Sequence, residues 1–266
     1  MRDRICIVIQ TLNQKDQALD CLASLHQIEH KLLTITVVDH GSTDGSVEAI
    51  RSAHPKVPIF EEKKNLGPSE GFNQAIRWAL TKPFKWIALF TVDAIVNPNI
   101  ITEWLKIAEK HPDTKIFGAS VYQASEPTQI LHHGFKWNPD KAQPESISCS
   151  LLPVDFVSFQ AFFVHREVPE TIGLFDARLT PIWSEMDYCF RARRKGFGVK
   201  TAPFAKVWCN PQISTSYFWH RSWLLWLERN LSVTERKKIP KLRLNSKNFL
   251  ATIHYYLRQF SILPRP

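Results

Sequence analysis

Short apolar runs alternate with segments of helical period along the first third of the chain. The run ICIVI, residues 5–9, predicts a buried strand, and TLNQKD, residues 11–16, a polar turn. Ala18, Leu19, Leu22, Leu25 and Ile28 then recur at helical spacing. ITVVD, residues 35–39, predicts a second strand, after which Ser42 or Thr43 caps a helix running over Val47 and Ile50 to Ser52. VPIFEE, residues 57–62, predicts a third strand. A Gly-containing loop, KNLGP, becomes helical around Glu70. KWIALFTVD, residues 85–93, predicts a fourth strand that ends in an acid, as the second does. Strands alternating with helices in this way predict a parallel sheet covered by helices, an α/β fold.

The pattern beyond Asp93 is less regular. A helix is expected over 99–110 and a strand over 115–123. Residues 124–150, rich in Pro, His, Ser and Gln, predict a long loop or irregular hairpin. DFVSFQAFFVHR, 155–166, reads as a strand, and EVPETIGLFD as a short helix and turn. Residues 188–195 are helical by pattern, with Glu185 and Asp187 just before them, and 198–209 read as one or two strands. An aromatic helix is expected over 216–230. A basic linker containing Pro240 then leads to an amphipathic segment, FLATIHYYLRQF. This order predicts one domain over 1–220, in halves 1–98 and 99–220, and a basic aromatic extension over 221–266.

Composition adds a location and removes several classes. An apolar content of 44% and a charged content of 22% are those of a globular protein with a substantial core. Nine Trp and seventeen Phe exceed what a plain core needs and leave packing and a carbohydrate- or membrane-facing surface both open. The net charge of +9 is concentrated at the end, where ten Lys or Arg stand against two Glu from Arg221 onward. The near-neutral body makes a nucleic-acid footprint unexpected, and the basic tail suggests an anionic membrane surface. Five scattered cysteines without a C-x-x-C argue against a disulfide framework or structural zinc, and for a reducing compartment. The N-terminus shows no signal-peptide pattern, and no apolar run approaches the ~20 residues of a membrane span. A cytoplasmic protein, peripheral at the inner face of the membrane, is the expectation.

The candidate chemistry lies in VVDHGSTDG and in later acids. Asp39 and Asp93 are each expected where a strand runs out, so their carboxylates share one crevice at the C-terminal ends of the sheet. A carboxylate there can accept hydrogen bonds from a base or ribose, or hold a divalent cation through oxygen. Neither G-x-G-x-x-G nor G-x-x-x-x-G-K-[ST] occurs. Asp44 reads more simply as a cap of the turn.

VVDHGSTDGS resembles the nucleotide-binding segment of family 2 glycosyltransferases, inverting enzymes of the GT-A fold. KNLGPSEGFNQAI, LFTVDAIVNPNI, VDFVSFQAFFVHREVPETIGLFD and WSEMDYCFRARRKG are similar to further segments of that family, in the family's order. Within it, the chain looks most like rhamnosyltransferase-type enzymes of bacterial surface polysaccharide synthesis. The resemblance implies a nucleotide diphosphate sugar donor, dTDP- or UDP-linked, and a glycan or lipid-linked glycan acceptor. It implies that Asp39 meets the pyrimidine N–H, that Thr11 and Asn13 line the nucleotide pocket, and that Lys64, Asn65 and Gly67 lie near the nucleotide. Asp93 would coordinate Mg²⁺ or Mn²⁺ at the diphosphate. Glu185 would be the base, with Asp187 beside it as an acceptor-binding or orienting acid.

Three positions depart from the family's pattern. The D-x-D region reads Thr91-Val92-Asp93, the base position carries Glu where Asp is usual, and Cys209 stands where relatives often have His. These departures keep a second reading open, a non-catalytic nucleotide-sugar or glycan-binding protein on the same scaffold. A nucleotidyltransferase would want a Gly-rich loop after the first strand, which TLNQKD lacks. His132 and His133 resemble an element bordering the acceptor region or are ordinary loop histidines, and Trp183 reads equally as a sugar-stacking or a core residue. Arg191, Arg193 and Arg194 read as a solvated helix face.

Overall fold

The computed structural model describes residues 3–138, 143–147, 154–179, 182–210, 226, 229 and 230. Its centre is a nine-stranded sheet. β1 (Ile5–Thr11) lies between β2 (Leu33–Asp39) and β4 (Trp86–Phe90), and β3 (Ile59–Glu61) borders β2, all four parallel. The helices α1 (Lys15–Leu25), α2 (Ser46–Ala53) and α3 (Pro68–Leu80) make the crossovers between them. Beyond β4 the order continues β10 (Phe162–His165), β6 (Thr114–Gln123), β11 (Gly198–Cys209) and β5 (Ile95–Val96). β10 runs against both β4 and β6, so β6 and β11 share the direction of β1. β5 and β7 (Ile130–His132) pair antiparallel at the far side, and β8 (Phe135–Asn138) and β9 (Gln143–Ser146) form a separate hairpin. The sheet is therefore mixed but mostly parallel.

Two apolar layers cover it. One face packs β1 residues Cys6 and Val8 with α3 and with α6 (Trp183–Arg194). The other packs Ile5, Ile7 and Ile9 with α1 and α4 (Ile100–Lys110). Successive β1 residues thus enter opposite cores, which is why ICIVI is an unbroken apolar run rather than an alternating one. A short helix, α5 (Glu167–Ile172), follows β10.

Several boundaries differ from the sequence expectation. The fourth strand stops at Phe90, and Asp93 lies in a turn closed by the Ala94 N–H on the Thr91 carbonyl at 3.1 Å. Within 155–166 only Phe162–His165 is strand; Ser158 to Ala161 form a turn closed at 3.2 Å. Glu185 and Asp187 stand inside α6, not before it. α2 is capped by neither Ser42 nor Thr43: Gly45 precedes it at φ 82°, and the Asp44 carboxylate takes the Ser46 N–H at 3.0 Å. The expected helix over 216–230 and the extension over 221–266 lie outside the described residues apart from Trp226, Arg229 and Asn230. Among the described residues no helix is long and apolar enough to cross a membrane.

Candidate active site

The C-terminal ends of β2, β1 and β4 lie side by side, and three buried oxygens there lack a hydrogen-bond partner: Asp39 Oδ1, Thr11 Oγ1 and Thr91 Oγ1. Asp39 and Thr11 are register partners. Asp39 is 2% exposed, and its other oxygen accepts the Gly41 and Ser42 N–H groups, each at 3.0 Å. Those two bonds fix the carboxylate and form the turn, which leaves Oδ1 directed by the backbone and unpaired. An unpaired buried oxygen costs about 1–3 kcal/mol, and such atoms gather where a ligand completes them.

The flanking loops are stitched together. Asn13 sits at φ 53°, donates its N–H to Ser42 Oγ at 2.9 Å and accepts the Thr43 N–H at 2.7 Å. Asp44 accepts the Lys15 N–H at 3.0 Å, which joins the starts of α1 and α2. Asp44 is thus a framework residue. Lys64 and Asn65 are exposed on the approach to α3, and Asn65 Oδ1 holds the Gly67 N–H at 2.8 Å. Gly67 adopts φ 79°, a left-handed conformation that glycine supplies without steric cost.

Sequence reasoning missed Gln10 and His40. His40 Nδ1 accepts the Leu66 N–H at 3.3 Å, so its Nε2–H donates to Gln10 Oε1 at 2.7 Å, and Gln10 Nε2 donates to the Pro68 carbonyl at 2.9 Å. The network ties the strand ends to the start of α3. It needs a neutral imidazole, and burial lowers the His40 pKa in keeping with that, against the opposing pull of Asp39 and Glu62. Gly71 makes room for it: a Cβ there would lie 2.4 Å from Gln10 Oε1 and 2.5 Å from His40 Nε2. The position of His40, directly after Asp39, was the available signal.

Asp93 is half-buried, and its carboxylate makes no hydrogen bond to another described residue. Among the described residues no group of three or more His, Cys, Asp or Glu is placed to hold a metal ion. One free carboxylate does fit a cation that arrives with a diphosphate, because Mg²⁺ takes one or two protein carboxylates and completes its shell with phosphate and water. Cys209 is buried near Asp93, and burial pushes its thiol up to about 12, so it stays protonated and unsuited to a hard cation.

Glu185 occupies the first turn of α6 and is 4% exposed. One oxygen accepts the Phe159 N–H and the other accepts the Ile182 N–H. Ile182, before the helix, is held at φ 68°, a strained conformation for a β-branched residue. Burial raises the Glu185 carboxyl to about 7, with the two N–H bonds pulling the other way. Asp187 differs from it. It is fully buried, accepts Arg191 Nε at 2.7 Å and Asn230 Nδ2 at 3.2 Å, and has Arg229 Nη1 at 3.4 Å. The acid is thereby enclosed as an anchor, a geometry suited to orienting α6 and not to touching an acceptor.

Other residues singled out by sequence fall mainly into the framework. Trp183 is buried against Trp226, a core position. Arg191 also donates to the Ile172 and Leu174 carbonyls, Arg193 pairs with Asp155, and Arg194 donates to the Asn230 carbonyl, so this helix face is tied down and not merely solvated. His133 Nδ1 meets Ser120 Oγ at 2.7 Å.

A mixed α/β sheet with acids at the C-terminal ends of its strands defines a class, and the chain belongs to it: it is a member of glycosyl transferase family 2, whose sequence model matches residues 6–173. The match ends before α6. The chain is similar to the N-acetylglucosaminyl-diphospho-decaprenol L-rhamnosyltransferase of Mycobacterium tuberculosis, at 24% identity over 78% of this chain and 76% of the relative. Among solved structures it is similar to the mannosyltransferase PcManGT from Pyrobaculum calidifontis in complex with GDP-Man and Mn²⁺. That match has a TM-score of 0.62 and 17% identity, covering 81% of this chain and 59% of that one. S. aureus TarS in complex with UDP-GlcNAc matches at a TM-score of 0.63 and 14% identity, covering 88% of this chain and 69% of that one. These likenesses show the fold, which is GT-A.

Proposed function

We propose that the chain is an inverting glycosyltransferase that moves a sugar from a nucleotide diphosphate to a hydroxyl of a glycan or lipid-linked glycan. The observation that carries the reading is the row of unpaired buried oxygens on Asp39, Thr11 and Thr91 at the C-terminal ends of β2, β1 and β4, with Asp93 beyond them. Asp39 Oδ1 would accept the pyrimidine N–H, and Thr11 and Asn13 would line the base. Lys64, Asn65 and Gly67 would border the nucleotide. The M. tuberculosis relative's name supports rhamnose as the sugar transferred and an N-acetylglucosaminyl-diphospho-prenol as the acceptor.

Asp93 would hold Mg²⁺ or Mn²⁺, which when bound neutralises charge on the departing diphosphate. Glu185 would take the acceptor hydroxyl proton as that oxygen attacks the anomeric carbon opposite the leaving group. A carboxyl near 7 is suited to that work at neutral pH. Each of its oxygens keeps a second lone pair beyond its N–H bond. Asp187 would act through α6, by holding the helix that presents Glu185.

Transfer assays with dTDP-rhamnose and farnesyl-diphosphate-linked N-acetylglucosamine test the reading. The Glu185→Gln variant should lose about 10²- to 10⁴-fold in kcat with donor affinity unchanged. The engagement of both Glu185 oxygens by backbone N–H groups favours one other reading, a nucleotide-sugar-binding protein without turnover. A wild type that binds nucleotide and transfers to no acceptor would establish it.

A further inference from the structure

The turn that holds Glu185 also presents an amide NH₂ that neither a described residue nor the proposed chemistry uses. Gln160 is the third residue of the Ser158–Ala161 turn, next to Phe159, whose N–H binds Glu185. It leads into β10, so it lies at the same end of the sheet as the turn carrying Asp93.

Its orientation is fixed by two donors. His132 Nδ1 accepts the Gly134 N–H at 3.2 Å, which leaves the proton on Nε2, and Nε2 lies 3.3 Å from Gln160 Oε1. The Ser158 hydroxyl donates to the same oxygen. An N–H donor cannot pair with an amide NH₂, so the side chain cannot be reversed. Its Oε1 is the inner end and its Nε2 the outer end. His132 is buried against Phe135, and Gly134 cannot accept a Cβ without meeting Val154 at 2.8 Å, so the support is itself packed in place. Gln160 is half-buried, and its NH₂ group has no hydrogen bond to a described residue. The turn thus carries an amide donor, pre-oriented by a buried histidine, one residue along the chain from the N–H that binds the carboxylate proposed to activate the acceptor.

We propose that Gln160 is an acceptor-specificity residue whose Nε2 donates to the acetamido carbonyl oxygen of an N-acetylhexosamine acceptor. The inference rests on the glycosyltransferase reading. His132 accepts at Nδ1, and burial lowers its pKa to about 4, so the support is neutral and brings no charge of its own. A carbonyl is the stronger neutral acceptor in a sugar, and a donor already held in place favours the ligand that offers one.

Gln160→Glu is the informative variant. It keeps an oxygen for His132 and Ser158 and replaces the NH₂ donor with a second acceptor, so a purely structural role survives the change. Binding of farnesyl-diphosphate-linked N-acetylglucosamine and of its glucose counterpart would be measured by calorimetry in the presence of UDP or dTDP and Mn²⁺. The melting temperature and the nucleotide-induced thermal shift would be measured in parallel. Wild type should prefer the N-acetylated probe at least about tenfold, and Gln160→Glu should lose that preference while its melting temperature and nucleotide shift stay those of wild type. Equal preference in both proteins, or failure of wild type to distinguish the probes, overturns the assignment of Gln160 and leaves donor binding standing. Absence of any nucleotide-induced shift in wild type overturns the glycosyltransferase reading, and the inference with it.

Discussion

Two carboxylates that look alike in sequence, Glu185 and Asp187, end in opposite surroundings. Both are buried, but Glu185 is met only by neutral N–H groups, whereas Asp187 is met by two guanidinium groups. Without a countercharge, burial dominates at Glu185 and raises its carboxyl to about 7. This has a sign in both activity and stability. As a base Glu185 must be ionised, so transfer should rise with pH through about 7, and the pH–rate profile of Glu185→Gln should lose that limb. In the folded chain the group keeps its proton above the ordinary value of 4.5. Its contribution to stability is then fullest at acid pH and lost as pH rises through about 7. Denaturant titrations of wild type and Glu185→Gln across pH 5 to 8 would check the second effect, with the gap between them changing in the variant's favour as pH rises.

At the scale of elements, α6 is held from behind. Asp187 receives Arg191 from its own helix and Arg229 and Asn230 from the segment beyond β11, while Trp226 fills the space beside Trp183 and Trp137. Removing one member of a buried ion pair leaves the other charge uncompensated. Asp187→Ala should therefore cost about 3 kcal/mol of stability in urea unfolding. If Asp187 acts through α6, the variant should also lower kcat more than it raises the acceptor KM.

The sequence made the regular elements of the first half legible because each has one dominant period. ICIVI and ITVVD are apolar on both faces, and α1 keeps its apolar residues on one side. The sequence expectation for the fourth strand runs past its end because the β-branched Thr91 and Val92 continue a strand-like pattern into what the fold makes a turn. β5 and β7 were illegible: they are short edge pairings defined by β11 and β6, not by their own residues. Among the candidate site residues, Asp39 stands out because a carboxylate ends its apolar run, whereas Asp93 falls in the turn three residues past its strand. The enclosure of Asp187 could not be seen, because Arg229 and Asn230 approach it from more than forty positions away. Gln160 carried no signal, since its significance comes from His132 and Ser158 orienting it.

At the scale of the whole molecule, the described body joins the parallel strands β1 to β4 to a part containing β6, β10, β11 and α6 through one continuous sheet. The charge excess lies outside it, in the +8 that the sequence carries from Arg221 onward. If the acceptor is lipid-linked, that segment would hold the crevice against an anionic surface. Deleting residues 231–266 should then reduce co-sedimentation with phosphatidylglycerol vesicles and leave nucleotide binding intact, and equal pelleting of the two forms would rule this out.

Everything proposed for the site depends on Asp39 receiving a nucleotide base. The direct measurement is a thermal-shift titration of wild type and Asp39→Ala with UDP-, dTDP- and GDP-sugars in the presence of Mn²⁺ or Mg²⁺. Wild type should be stabilised selectively by pyrimidine nucleotides, and the shift should vanish in a folded Asp39→Ala protein. A full shift retained in the variant would contradict the placement of the base at Asp39.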